Sequence, residues 1–499
     1  MKYTSIEYTP KVKVEDKQTL ALVYTPGVAF ASKEIAKDSA LSYKYTNREN
    51  TVGVFANDYK KALERAIFLK STLNIDAYPF EIKDTSFEKV KFVLQNLEPS
   101  FAAFDITLLD ENFEDKKFGV GIPVLKRTVT NLKEFFLTVS KGAILDNLEL
   151  LKGSFEEKSL SLREVNGGVI ETTLSEKNPQ KPVAIISDGS AVLGLGNIGA
   201  EAGMPVMEGK AVLFKSLGDV DAMPLCVKTQ KSEEVIELVL LLENSFSGVN
   251  LEDISAPRCF EIEENLIEKS SIPIFHDDQH GTAIVVLSAI LNALKLANKE
   301  LSKVKIVFSG AGAAATAVSK LLIKAGAKDV TMCDIDGIVY KGRPNNSDAL
   351  EKLAQITNIR NLKGTLDDAI CEADIFIGLS APNILTNERI KKMAKNPIIF
   401  ALANPTPEVM PNVAKEAGAF VVSTGRSDFP NQVNNSLVFP GLFNAILKLN
   451  IPQITDEIKV KAAYAIANLV KDNELSQERI IVDALDKRAG KAIFEALKN

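Results

Sequence analysis

Histidine and cysteine are scarce, with two and four residues respectively in a chain of 499. The cysteines, Cys226, Cys259, Cys333 and Cys371, have no metal-type spacing. That excludes a thiolate zinc site and leaves reduced, mostly buried thiols as the expectation. Concentrated positive charge is missing too: the net charge is −6 and the basic residues are spread out, so no electrostatic footprint for nucleic acid exists. The longest apolar runs, such as residues 283–293, fall short of a membrane span, and the opening MKYTSIEYTP has no signal-peptide core. A cytoplasmic protein with no membrane contact is expected. The length is enough for two or three domains with real cores.

What is present is acid in apolar surroundings. Residues 250–282 open with Asn250-Leu251-Glu252-Asp253 and close with Phe275-His276-Asp277-Asp278-Gln279-His280-Gly281-Thr282. The segment 271–275 reads as a short buried strand and 283–293 as an apolar helix. Acids wedged between such runs must be paired or coordinated. Carboxylates are hard oxygen donors, suited to Mg²⁺ or Mn²⁺ rather than zinc. Paired surface acids are common, however, and a solvated face is the competing reading.

Earlier in the chain, Tyr24 precedes a Pro-Gly turn. Either its hydroxyl is held out of the core or it is an ordinary half-buried tyrosine. Residues 52–56 read as a strand and 62–69 as a helix. Residues 65–106 then lie over 210–251 without a gap, at a shift of 145, with 13 identities in 42 positions, where composition alone gives about two or three. The first copy has Arg65 for Lys210 and Thr107-Leu108 for Glu252-Asp253. Further on, Gly121-Ile122-Pro123-Val124 parallels Ser271-Ile272-Pro273-Ile274, which sets Arg127 and Thr128 against Asp277 and Asp278. Residues 52 to about 165 therefore read as a non-catalytic copy, and 152–181 as a tether.

The second copy opens with a strand at 182–186 and runs into SDGSAVLGLGNIG from Ser187. Residues 200–209 are rich in Gly, Met and Pro, so a glycine-rich cleft loop is expected there ahead of a nucleotide loop, with a helix starting at Lys210. Lys210 is then either a solvated first-turn lysine or, if the cleft desolvates it, a general base. The stronger nucleotide signal comes later. A strand at 304–308, the turn Gly310-Ala311-Gly312-Ala313-Ala314-Ala315, a helix at 316–324 and a strand ending in Asp334 form a βαβ fingerprint. Gly310 makes the tight turn, Gly312 lets pyrophosphate approach, Ala315 packs the helix and Asp334 takes a ribose hydroxyl. The acid favours NAD, while Lys341 and Arg343 keep NADP open. Asn404 follows a strand at 398–403, and Asn434-Asn435 precede an apolar segment; both are turn formers or ligands. The last sixty residues read as amphipathic helices.

Taken together, YTPGVA at Tyr24, SDGSAVLGLGNIG at Ser187, GMPVMEGKAVLFK around Lys210, NLEDI at Asn250, FHDDQHGTA at Phe275, SGAGAAA at Ser309 and FALANPTPE at Phe400 resemble the malic enzymes, most closely the shorter bacterial type. The resemblance covers residues 15–56 and 182 to the end. It implies an α/β, malic-enzyme-like fold: an N-terminal substrate and metal domain plus a Rossmann-type NAD(P)-binding domain. It also implies oxidative decarboxylation of L-malate with NAD or NADP and Mg²⁺ or Mn²⁺. By motif, Glu252, Asp253 and Asp278 would ligate the metal, Lys210 and Tyr24 would do acid and base work with Asp277 assisting, and Asn404 and Asn435 would touch substrate. Ala191 stands where larger members carry a carboxylate-binding arginine, so another donor is needed. A malolactic enzyme would use the same residues and release lactate; a dinucleotide-dependent regulator is the non-catalytic alternative. Expected domains are 1–57 (N-terminal part of the substrate domain), 58–181 (degenerate copy and tether), 182–294 (catalytic), 295–445 (dinucleotide-binding) and 446–499 (C-terminal helices). A homodimer or homotetramer is the family expectation.

Overall fold

The computed structural model describes residues 3–24, 27–109, 113, 115–126, 168–177, 180–192 and 194–498. The Arg127–Thr128 comparison and most of the 152–181 tether lie outside them. The chain divides into two compact units, residues 1–254 with 261–274, and residues 255–260 with 275–499.

In the first unit, strand β1 (Ser5–Pro10) pairs antiparallel with β6 (Ile170–Ser175). Two parallel sheets follow. One contains β2 (Thr51–Ala56), β3 (Asp76–Glu81), β4 (Ala103–Leu108) and β5 (Val124–Leu125), in the order β3-β2-β4-β5. The other contains β7 (Val183–Ser187), β8 (Ala222–Cys226), β9 (Gly248–Leu251) and β10 (Ile274–His276), in the order β10-β9-β7-β8. Read from the opposite edge, this is the same order. Registers match as well: Ala77 and Ala103 flank Val52 as Ala222 and Gly248 flank Val183. The Phe104 amide donates to Pro123 O at 2.9 Å, as the Val249 amide does to Pro273 O at 2.8 Å. Val52 and Val183 are 131 apart, fourteen fewer than the shift of 145 beyond them. The first copy therefore lacks fourteen residues after its first strand: nine in the connection, where the second carries the SDG loop, and five in a helix of 15 residues rather than 20.

The two copies grip each other reciprocally. Ser100 Oγ accepts from the Cys226 amide at 2.9 Å and donates to Cys226 O at 3.0 Å; Ser245 Oγ does the same to Glu81, at 2.8 and 3.2 Å. The Lys83 amide donates to Leu241 O at 3.1 Å and the Lys228 amide to Asn96 O at 2.9 Å. Lys83–Glu243 (2.5 Å) and Lys228–Glu98 (3.3 Å) are the matching ion pairs. Each pair maps onto the other by the shift of 145. This is the self-complementary pattern of a two-fold interface, formed here inside one chain.

One helix differs from expectation. It opens at Gly199, inside the glycine pattern, and runs to Gly218 with Pro205 in its interior, instead of starting at Lys210. Local propensity disfavours Gly and Pro there, but most of this helix is buried and tertiary packing overrides propensity.

In the second unit, β11 (Lys305–Ser309), β12 (Asp329–Asp334), β13 (Gly337–Ile338), β14 (Ile375–Gly378), β15 (Ile398–Ala401) and β16 (Val421–Thr424) form one sheet, ordered β13-β12-β11-β14-β15-β16. It is parallel except for β13. The chain reverses its direction of winding at β11 and β14, so their carboxyl ends mark a ligand crevice. The apolar helix Thr282–Ala297 belongs to this unit, because Asn292 Nδ2 donates to Ala467 O and Ile480 O, both at 2.9 Å. With the turn before it, it makes a 21-residue segment whose most apolar 18 residues have a mean hydropathy of 1.5, apolar enough for a membrane but 72% buried, as a core helix is. Cys226, Cys259 and Cys333 are buried and Cys371 is exposed, all four as free thiols.

Candidate active site

In the first unit the buried acids sit where a strand ends. β9 stops at Leu251, and Glu252 and Asp253 follow at 3% and 4% exposure. The Glu252 amide bonds Ile186 O, and Asp253 O accepts from the Ala191 amide, both at 2.9 Å. The SDG loop is thereby stitched to the acidic pair. Asp253 has φ +53°, a left-handed conformation that a non-glycine residue keeps only when its surroundings demand it. Gly189, at φ +66° in the same loop, has Gly199 O where a Cβ would come within 2.1 Å.

Lys210 is not a solvated first-turn residue. It lies well inside the helix, is fully buried and forms an ion pair with Glu252 Oε1. A buried ammonium requires such a partner. Tyr24, half-buried, caps the helix Lys17–Val23. Val23 O presses on Gly209 so closely that a Cβ there would stand 1.8 Å away. The residue before Tyr24 thus packs on the residue before Lys210. In the first copy Arg65 Nε instead pairs with Asp105 Oδ2 at 2.8 Å, and Thr107 Oγ1 donates to Asp105 Oδ1 at 2.6 Å. That arrangement closes on itself.

In the second unit, Asp277 is fully buried and Asp278 partly exposed, in a turn following β10. Asn435 Nδ2 donates to Asp277 Oδ2 at 3.2 Å, and Thr282 Oγ1 donates to Asn435 Oδ1 at 3.3 Å. Asn435 is therefore a partner of Asp277 rather than a plain turn former, while Asn434 caps Ser436. Gly281 has Asp277 Oδ1 where its Cβ would stand. Among the described residues no three Cys, His, Asp or Glu side chains converge on one point. The donors are nonetheless of the right kind for a hard cation: buried carboxylate oxygens at the ends of strands.

The nucleotide turn has the expected form. Gly310 has φ +109° and Leu379 O at 2.4 Å from a Cβ position, whereas Gly312 faces open space. The helix Ala313–Lys324 starts directly after, and Ala315 is 1% exposed. Its amino end is free to meet a pyrophosphate. Asp334 ends β12 and receives both arms of Arg343, Nη1 to Oδ1 at 2.8 Å and Nη2 to Oδ2. Burial pushes its carboxyl up, but the guanidinium's bonds outweigh that and hold it below the usual range. Half-buried Asn404 follows β15.

Two buried acids escaped the sequence reading. Glu408 accepts from the Ser380 and Ala403 amides, both at 3.0 Å, and holds the Asn404 loop at the end of the sheet. Glu208 accepts from the Asn47 amide at 2.6 Å and the Val169 amide at 3.1 Å. Each lies in a motif already singled out, but nothing in the local pattern says which backbone it reaches.

Residues 279–488 match the family described as malic enzyme, NAD binding domain, and residues 130–267 match malic enzyme, N-terminal domain. The latter match starts upstream of the SDG loop and does not extend to Tyr24. The bifunctional malic/malolactic enzyme of Bacillus subtilis is 54% identical over 316 residues, 63% of this chain and 77% of its own length. The NAD-dependent malic enzyme of Geobacillus stearothermophilus is 49% identical over 315 residues, 63% of this chain and 66% of its own. The crystal structure of the NAD-dependent malic enzyme from Thermotoga maritima aligns at 35% identity and a TM-score of 0.61, over 98% of this chain and 95% of that one. A buried lysine–glutamate pair beside a strained aspartate, a dinucleotide turn and these likenesses lead to one assignment: the chain belongs to the malic enzyme family.

Proposed function

We propose that this chain carries out the oxidative decarboxylation of L-malate to pyruvate and CO₂, with NAD as acceptor and NADP as a second one. The observation that carries the reading is the buried Lys210–Glu252 pair next to Asp253. A divalent cation, Mg²⁺ or Mn²⁺, held by Glu252, Asp253 and Asp278 would supply Lewis-acid polarisation of the malate hydroxyl and its neighbouring carboxylate. Lys210 takes the hydroxyl proton as the C2 hydride leaves for the nicotinamide. To do so it must be neutral, and it becomes so more readily once Glu252 no longer serves as its counter-ion. After loss of CO₂, Tyr24 returns a proton to carbon, giving pyruvate. Asp277, fixed by Asn435, and Asn404, fixed through Glu408, orient substrate and nicotinamide. Gly310, Gly312, Ala315 and Asp334 hold the dinucleotide. A homo-oligomeric, cytoplasmic enzyme accompanies this reading.

A malolactic reaction is the second reading, favoured by the double name of the Bacillus subtilis relative. Absorbance of reduced nicotinamide, followed with L-malate and Mn²⁺ and with NAD or NADP, separates the two. Chelator-sensitive reduction with pyruvate formed is the expected result. Lactate without net reduction would replace it with the malolactic reaction, and neither product would overturn both.

A further inference from the structure

Glu208 is fully buried, lies two residues before Lys210 and takes no part in the chemistry above. Its two oxygens accept from the Asn47 and Val169 amides, at 2.6 and 3.1 Å. Asn47 lies just before β2, where the first copy begins; Val169 lies just before β6, after the copy has ended. One carboxylate therefore binds both ends of the first copy at once. Gly168 makes this possible: it has φ +68°, and a Cβ there would come within 2.3 Å of the Asn47 amide and 2.6 Å of Glu208 Oε2.

The grip extends from Asn47 into the first copy. Asn47 Nδ2 donates to Asp76 Oδ2 at 2.7 Å, and Lys11 Nζ donates to Asn47 Oδ1 at 3.2 Å. Asp76, the first residue of β3, also receives Lys70 Nζ at 2.7 Å and the Thr172 amide and hydroxyl at 3.1 and 2.8 Å. The charged and titratable groups facing Glu208 are thus Lys11, Asp76, Tyr78 and Cys226. Residues two apart on a helix point to opposite sides. Glu208 and Lys210 therefore fix the same helix from two faces, one toward the ends of the first copy and the other toward Glu252, with Gly209 pressed on Val23 between them.

We propose that Glu208 is a positioning residue for Lys210: it makes the first copy a working brace of the catalytic helix rather than a spacer. Resting on the malate-oxidising reading, the proposal is tested in the full-length chain by Glu208→Ala, and by Gly168→Ala, which disturbs the same grip without replacing a residue of the helix. Both are expected to lower kcat on the order of 10- to 100-fold, the scale of a misplaced catalytic group, with KM for NAD within about twofold. The acid limb of the kcat–pH profile should move, and Glu208→Gln, which keeps one acceptor, should recover part of the loss. A kcat within about twofold of wild type in both variants would overturn the proposal. So would a lowered kcat whose pH profile stays in place, since loss of folded protein alone gives that. Amide exchange reads the brace even in a chain that failed to oxidise malate. In Glu208→Ala, protection should fall together at residues 47–52, 170–175 and 208–212; an unchanged 208–212 would again overturn it.

Discussion

At the scale of residues, three side chains carry separable predictions. Replacing Lys210 by Met removes the proton acceptor and leaves Glu252 buried without its ammonium. Malate oxidation should fall on the order of 100-fold or more, the range for a general base, while NAD binding measured by fluorescence quenching stays intact. Glu208 gives a pH prediction. Burial, partly offset by the Asn47 and Val169 amides and Lys11, raises its carboxyl to about 7. The fold thus favours its protonated form more than the unfolded chain does. Stability from this source is full below an unfolded value of about 4.5 and is lost as pH rises through about 7, on the order of 3 kcal/mol in all. Melting temperatures should fall over that window, and Glu208→Gln should flatten the slope. Arg343 addresses cofactor choice, since a free Asp334 would repel a 2′-phosphate and the guanidinium neutralises it. Arg343→Gln should therefore reduce kcat/KM for NADP on the order of tenfold more than for NAD, the worth of a charge-assisted contact.

Elements differ in how readily their sequence reveals them. The strand–turn–helix around Gly310 was readable because each of its parts is local: a positive φ, an open Gly312 and a buried Ala315 all follow from neighbours within a few residues. The helix Gly199–Gly218 was not. Gly209 at its middle admits the Val23 carbonyl, so a glycine that suggests a loop is the means by which a buried helix packs. The Lys210 environment was hidden for the same reason, because desolvation is set by chain segments far away in sequence. Gly209→Ala tests this directly. A methyl placed 1.8 Å from Val23 O must push Tyr24 and Lys210 apart, destabilising the first unit by roughly 1–3 kcal/mol. Activity should fall by more than the unfolded fraction measured by circular dichroism can account for.

For the molecule as a whole, the repeat is legible as identities at a constant shift, but the contacts between its two parts are not. Identity says that two sheets share a plan; it does not say that each binds the other. The reciprocal bonds of Ser100 and Ser245, each satisfying a backbone N–H and C=O of the opposite copy, tie the two sheets together. An inert spacer would unfold by itself, leaving the catalytic sheet intact. With the reciprocal bonds and Glu208 in place, amides of β2 and β4 should lose protection at the same denaturant concentration as those of β7 and β9. Ser100→Ala and Ser245→Ala should each lower that common midpoint, by a loss of stability of roughly 1–3 kcal/mol, because each leaves a backbone N–H and C=O of the opposite copy unpaired. Separate transitions for the two sheets, or a Ser100→Ala effect confined to β2–β4, would return the first copy to the status of a passenger. A single transition would mean that the copy which lost its acids kept its structural work.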